Sequence, residues 1–283
     1  MPQRPDFSTL TLTERAPGMA LVTMSRPDVF NAFDETMIGE LDAAFAHLAA
    51  DPAVRVIVLA GAGKHFSAGA DLQWMQRAAS ATHDWNLADA RRFAAMLARI
   101  EACPQPTVAR IQGAALGGGV GLACACDIAV AAANASFAVS EAKFGILPAV
   151  IGPYLVNAVG RRQARRLALT TRRIGAQEAL DIGLVQQVVQ QVEVQDAGAG
   201  DAGNPAEQAL DAAVDTLVSE LLVGGPQAQR EIKQLYARLA PGEVTDAVRE
   251  LTAQTISRVR GTDEAREGFA AFLDKRPPRW VRP

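Results

Sequence analysis

Two short stretches carry residues whose types and spacing could do chemistry. In Lys64-His65-Phe66-Ser67-Ala68-Gly69-Ala70-Asp71-Leu72, small residues follow the apolar run Arg55–Ala60 and can leave main-chain N–H groups open to a ligand. In Gly117-Gly118-Gly119 the chain can approach a ligand closely and then start an apolar helix. A helix start offers unpaired N–H groups and the positive end of a dipole, which suits negative charge developing on an oxygen. The same glycines could serve only to let a helix pack tightly on a strand. Spacing alone leaves the two readings even.

Other patterns fail on inspection. Gly61-Ala62-Gly63-Lys64 lacks the spacing of a phosphate-binding loop, and Gly117–Gly121 does not complete a dinucleotide fingerprint. Ser140-Glu141-Ala142-Lys143 matches S-x-x-K without the companion acyl-serine motifs, so Glu141 taken alone reads as a solvated turn carboxylate. His47, His65 and His83 are scattered, and Cys103, Cys124 and Cys126 form no zinc spacing.

The elements that must position these stretches alternate between strand and helix. Thr9–Glu14 and Met19–Met24 read as a hairpin about Ala16-Pro17-Gly18. Asp34 can cap a helix to about Ala50, where Met37, Leu41, Phe45 and Leu48 recur at helical spacing. Arg55–Ala60 reads as a strand buried on both faces. A loop over Gly61–Asp71 follows, then a helix from about Asp84 to Glu101, ended by Pro104 and Pro106. Thr107–Ile111 is the next strand, Gly117 to about Cys126 a short helix, and Ile128–Ala132 and Phe137–Val139 further strands. That order predicts an α/β fold with parallel pairing. Gln190–Pro205 is rich in Gly, Ala, Asp and Gln and reads as a flexible linker. Ala206–Val223, Gln227–Leu239, Val244–Val259 and Asp263–Asp274 read as helices beyond it.

Composition narrows the classes. Of 283 residues, 49% are hydrophobic and 21% charged, a globular balance that rules out global disorder. The 28 lysines and arginines against 31 acidic residues give −3, which argues against a nucleic-acid polyanion as main ligand. Ala114–Ala133 is apolar enough to suggest a membrane span, but its four glycines and Asp127 point to a buried element of a core. The start of the chain lacks the pattern of a secretory signal, so a cytoplasmic location is expected.

The segments HFSAGADL (65–72), ALGGGVGLACACDIAVA (115–131) and FAVSEAKFGILPAV (137–150) resemble the crotonase, or enoyl-CoA hydratase/isomerase, superfamily. The resemblance runs from MSRPDVFNAF (24–33) to EGFAAFLDKR (267–276). Its finer pattern, with Gln73-Trp74-Met75, Asn86-Leu87 and Pro148–Pro153, is similar to bacterial methylglutaconyl-CoA hydratases and their carboxygeranoyl-CoA relatives. It implies a spiral of ββα turns with a C-terminal helical oligomerisation region, assembled as a trimer or a dimer of trimers. The division implied is a core over 1–189 for the CoA and active site, a linker over 190–205, and helices over 206–283.

The resemblance also implies site residues. The oxyanion hole falls on the backbone N–H groups of Ala68 and Gly118, which would hold the thioester oxygen as it becomes an enolate. Of the two glutamates usual in hydratases of this family, the second maps onto Glu141. The first maps onto Gly121, which has no side chain. That departure leaves two mechanisms open: hydration with Glu141 as the one base, or double-bond isomerisation by one proton-shuttling glutamate. Gly121 and Gly117 are expected to line the acyl pocket, with the space at Gly121 admitting a branch or carboxylate.

Arg26, Lys64, Ala70, Asp71 and Leu72 are expected near the CoA nucleotide, and Lys275 to reach the CoA phosphates of a neighbouring subunit. CoA arrives as part of the acyl-CoA substrate, and no separate cofactor or metal is expected. Arg161, Arg162, Arg165, Arg166, Arg172 and Arg173 form the densest basic cluster. Without interleaved aromatics they read as a solvated or subunit-facing helix surface rather than an RNA site. A non-catalytic acyl-CoA-binding protein would keep the oxyanion loops and lose the base, and Glu141 argues against it. The stripe Leu210, Val214, Leu217 and Leu221 is expected to seek its partner in another subunit.

Overall fold

The computed structural model describes residues 5–190 and 205–281. The opening hairpin forms as expected, with β1 (Leu10–Ala16) antiparallel to β2 (Met19–Met24). After α1 (Glu35–Ala50), three turns of one pattern follow: a strand in the main sheet, a short pairing in a second sheet, then helix. In the first turn β3 (Val56–Gly61) leads to a bridge between Ser67 and Ala115, then to α2 (Leu72–Ser80) and α3 (His83–Glu101). In the second, β4 (Thr107–Ile111) leads to β5 (Ala114–Leu116) and α4 (Gly118–Ala125). In the third, β6 (Ile128–Ala132) leads to β7 (Ser136–Ala138), a 3-10 turn over Glu141–Phe144, and α5 (Gly152–Thr170). β8 (Ile174–Gly175), α6 (Ala176–Asp181) and β9 (Gln187–Val189) complete this part. Four helices follow, α7 (Pro205–Val223), α8 (Pro226–Tyr236), α9 (Asp246–Arg260) and α10 (Asp263–Leu273). This is the spiral of ββα turns.

The main sheet has the order β1-β2-β3-β4-β6-β9, parallel from β2 onward, and the second sheet has the order β5-β7-β8. A parallel sheet must be covered on both faces, so its strands read as unbroken apolar runs. Alternate residues of β3 make the division visible. Ile57 and Leu59 face a core shared with Phe45 of α1, Leu97 of α3 and Leu122 of α4, while Val56 and Val58 face the other way. That second face, with Met19, Val108, Val130 and Ala132, is covered by Leu210, Val214 and Val218 of α7.

The expectation that the α7 stripe lacks a partner within the chain is therefore corrected. Leu210 and Val214 are fully buried on the sheet, and Leu217 and Leu221 are partly buried beside them. The physical reason is the sheet's need for a second cover, which the earlier helices do not supply. Further ties bind the later helices to the core: Lys233 Nζ of α8 donates to Asp127 Oδ2 (2.6 Å) and to the Gln105 carbonyl (3.1 Å). The expected linker lies, apart from its end residues Gln190 and Pro205, outside the described residues.

One further point departs from the sequence reading, and the reading of Ala114–Ala133 as a core element holds. The sequence reading ends its loop at Asp71 and assigns no element to 72–83; α2 forms there with no fully buried residue, resting on the core through partly buried Trp74. Ala114–Ala133 is divided among β5, α4 and β6, and among the described residues no helix is long and apolar enough to cross a membrane.

Candidate active site

The loop before α2 is held from below by the segment 26–33. Phe30 and Asn31 both adopt left-handed backbone conformations (φ 56° and 53°). Buried Asn31 uses its Nδ2 to donate to the carbonyls of Ala62 and His65 (2.8 Å each), and its Oδ1 accepts from Arg26 N (3.0 Å). The turn aims the Phe30 carbonyl at Ala68, whose N–H donates to it at 2.9 Å. One residue on, Gly69 N–H donates to Ser67 Oγ (3.1 Å). Phe33 N donates to the Gly69 carbonyl (2.8 Å) and Asp71 N to the Phe33 carbonyl (3.1 Å). Between these bonds the Ala70 N–H meets no acceptor among the described residues.

The glycine run is shaped by three different contacts. Gly117 sits at φ 50°, ψ −116°, a conformation that L side chains rarely adopt. A side chain on Gly118 would enter the Phe33 ring, with Cε1 2.8 Å away, and one on Gly119 would meet the Ser67 carbonyl oxygen at 2.8 Å. Helices α1, α2 and α3 begin under the side chains of Asp34, Asp71 and Thr82, whereas α4 has no capping side chain. The Gly118 N–H at its start is left without an acceptor among the described residues. Gly69 places this group beside the other loop: a Cβ built on Gly69 would lie 3.5 Å from Gly118 N.

Glu141 opens the 3-10 turn on the facing segment. Its Oε1 lies 3.2 Å from where a Cβ of Gly117 would be, and its Oε2 is buried with no hydrogen-bond partner. Burial raises its pKa above the ordinary glutamate value, against a smaller pull down from the N–H groups of Glu141 and Ser140. One desolvated carboxylate thus stands beside two uncommitted backbone donors. Cys124, on α4, is held as an unreactive thiol, since burial pushes its pKa up to about 12.

The structure reassigns several expected residues. Ala68 is corrected as an oxyanion donor because its N–H is bonded to the Phe30 carbonyl; the free donor is Ala70, two residues on. Asp71 is corrected as a CoA ligand. Its Oδ1 caps α2 through Gln73 N (2.8 Å) and Trp74 N (3.2 Å), and its Oδ2 accepts from Arg26 Nη2 (3.0 Å). Arg26 is turned inward with it, donating also to the Ala32 carbonyl (2.6 Å) and standing 3.4 Å from Asp34. These groups position the loop. Gly121 is corrected as an open space: a Cβ there would lie 2.9 Å from Ile151 Cβ and 3.7 Å from Leu97 Cδ1, and closer still to Ile151 Cγ2. Lys64, Leu72 and Lys275 are exposed, and neither lysine pairs with a carboxylate among the described residues. The arginine cluster lies on α5 and just after it, where Arg166 and Arg172 pair with Glu178.

Sequence reasoning did not single out Asn31, Phe33 or Ile151. Phe33 packs under Gly118 and forms an aromatic group with Trp74 (centroids 6.0 Å) and Phe93 (5.2 Å). The indole of Trp74 donates to Asp89 Oδ2 at 3.1 Å. The unusual Phe-Asn pair before Ala32 was the available signal, because Asn is the residue most tolerant of left-handed backbone after glycine.

Uncommitted backbone donors beside a desolvated carboxylate suit an enzyme that stabilises negative charge on a carbonyl oxygen. The sequence model of the enoyl-CoA hydratase/isomerase family matches residues 14–283, and the chain belongs to that family. The crystal structure of an enoyl-CoA hydratase from Shewanella pealeana superposes with a TM-score of 0.87 at 37% identity, covering 97% of this chain and 96% of that one. Pseudomonas aeruginosa AtuE gives 0.86 at 38% identity, covering 97% and 100%. The crotonyl-CoA hydratase of Syntrophomonas wolfei is 32% identical over 278 residues, 95% of this chain and 97% of that protein.

Proposed function

We propose that this enzyme adds water across the α,β double bond of an enoyl-CoA thioester, with Glu141 as its one acid–base group. The observation that carries the reading is the Glu141 carboxylate, whose Oε2 is buried with no hydrogen-bond partner, beside N–H groups of Ala70 and Gly118 that meet no acceptor among the described residues. Glu141 takes a proton from water as the oxygen bonds to the β-carbon. The double-bond electrons shift through the α-carbon onto the thioester oxygen, where the two N–H groups hold the enolate. Glu141 then returns the proton to the α-carbon. Donors fixed in advance favour the enolate over the ground state, and each is worth roughly 2.7–4 kcal/mol in comparable sites. A raised carboxyl pKa suits a group that must first accept and then donate.

Within that class we place the substrate among branched or carboxylated enoyl thioesters of the methylglutaconyl type. The support is the resemblance of 73–75, 86–87 and 148–153 to such hydratases, together with charge. With glycine at position 121 the site carries one carboxylate where two are usual, so a substrate bearing its own carboxylate meets less like-charge repulsion. Lys64 and the exposed backbone at Leu72 are proposed to meet the CoA nucleotide, and Lys275 the phosphates across a subunit boundary in a trimer or dimer of trimers. A cytoplasmic location remains part of the proposal.

The single carboxylate also fits double-bond isomerisation, in which Glu141 would carry a proton between the α and γ carbons. One assay separates the readings. Linear and branched enoyl-CoA thioesters are incubated with the enzyme, and loss of conjugated-enoyl absorbance is followed with product mass. A gain of one water supports the hydratase; a shifted double bond at unchanged mass supports the isomerase. Glu141→Gln should keep fold and CoA binding and lose about 10²–10⁴-fold in turnover. Wild-type turnover in that variant would remove Glu141 from the mechanism.

A further inference from the structure

We propose that the side chain of Ile151 occupies the place a second acidic side chain would take and thereby fixes this site as a one-carboxylate site. The inference rests on the reading of Glu141 as the proton-transfer group. Positions 117 and 121 are one turn apart at the start of α4, linked by a bond from Gly121 N to the Gly117 carbonyl (3.3 Å). Since Glu141 Oε1 lies 3.2 Å from the side-chain position of residue 117, a side chain at 121 would start about one turn away from that carboxylate.

That start is closed by Ile151, which is 2% exposed and stands 2.9 Å (Cβ) from the Cβ position of residue 121. The closest obstruction is Cγ2 at the branch of the side chain, which truncation of Ile151 to alanine removes, leaving only the Cβ contact for a small backbone shift to relieve. Ile151 immediately precedes α5 and ends the segment that begins with Glu141, so base and plug are carried on one stretch of chain. The consequence is chemical as well as steric. Hydrocarbon rather than a second carboxylate borders this side of the site, and the same group must take and return the proton.

Two measurements on the intact chain test this. Thermal melts of Gly121→Ala, Ile151→Ala and the double variant read the packing. Alanine is a better helix former than glycine, so a lower Tm for Gly121→Ala reports the collision. The double variant should melt above Gly121→Ala alone, and folding only of the double variant carries the same meaning. A Tm for Gly121→Ala at or above wild type, a double variant no better than the sum of its parts, or no folding in either overturns the proposal. The pH profile reads the chemistry. Ile151→Ala should move the acid limb of kcat to lower pH, and Gly121→Glu with Ile151→Ala should add a second ionisation that Gly121→Ala with Ile151→Ala lacks. Unmoved profiles in folded variants overturn the functional half. If the wild type neither hydrates nor isomerises any enoyl thioester, the proposed function fails while the melts still decide the packing.

Discussion

At Glu141 the needs of folding and of chemistry oppose each other. Burial lifts its pKa in the folded state above that of the unfolded chain, so folding favours the neutral form. The stabilising contribution of this group is complete below the unfolded pKa of about 4.3 and is lost as pH rises through the raised folded value. At neutral pH the wild type carries that penalty and Glu141→Gln does not. The glutamine variant should therefore melt above wild type at pH 7, with the gap closing toward pH ~4. Calorimetry across that range checks it, and equal melting at pH 7 contradicts it. Activity runs the other way: the base must be ionised, so the acid limb of kcat/KM should lie above the ordinary carboxylate range. The sequence placed Glu141 in the site only through the motif around it. Its burial, which makes it a useful base, is set by contacts that no local pattern encodes.

Among elements, the loop before α2 and the start of α4 are rigid in different ways. Neighbouring bonds commit Ala68 N–H and Gly69 N–H, and leave Ala70 N–H and Gly118 N–H without an acceptor among the described residues. Amide hydrogen exchange should show this directly: Ala68 protected, Ala70 and Gly118 fast in the free enzyme, and both slowed by a non-reactive thioester analogue. Protection of Ala70 with fast exchange at Ala68 would reverse the assignment of the donor. β1 to β4, β6, β7, α1 and the late helices were legible because apolar runs, periodicity and capping residues mark them, as Asp34 marks α1 through its bond from Met37 N (3.0 Å), whereas the two- and three-residue strands β5, β8 and β9 were not. α2 was not, since none of its residues is fully buried and its start is fixed by the Asp71 cap rather than by an apolar run. The glycine motif gave the two loops that meet, yet not which amide is free. That depends on the left-handed turn at Phe30-Asn31, over thirty residues earlier in the chain. Gly121 was misread for a similar reason: its neighbour Ile151 is thirty residues away, and a missing side chain does not say what fills its place.

Across the whole molecule, the main sheet is closed by parts of the chain far apart in sequence. The face formed by Met19, Val56, Val58, Val108, Val130 and Ala132 is sealed by α7. Leu210→Ala should cost about 2–5 kcal/mol, the range for emptying a buried leucine site, and denaturant unfolding measures it. A chain ending at Gln190 keeps Ala70, Gly118 and Glu141 and bares that face. It should bind an apolar dye and aggregate; a soluble, dye-negative product would show that α7 is dispensable to the sheet.

The same arrangement sets a timetable for synthesis. β6 is complete at Ala132, but its cover is complete only at Val223, about 90 residues later. At roughly 5–20 residues per second, translation leaves the apolar face open for on the order of 5–20 s. A folding intermediate therefore exists by construction of the message, whatever the intrinsic folding rate. Nascent chains arrested between those points should be clients of a holding chaperone, and chains released past α7 should not. Slow codons placed between the sheet and α7 would lengthen that exposure and lower soluble yield without altering one residue of the protein.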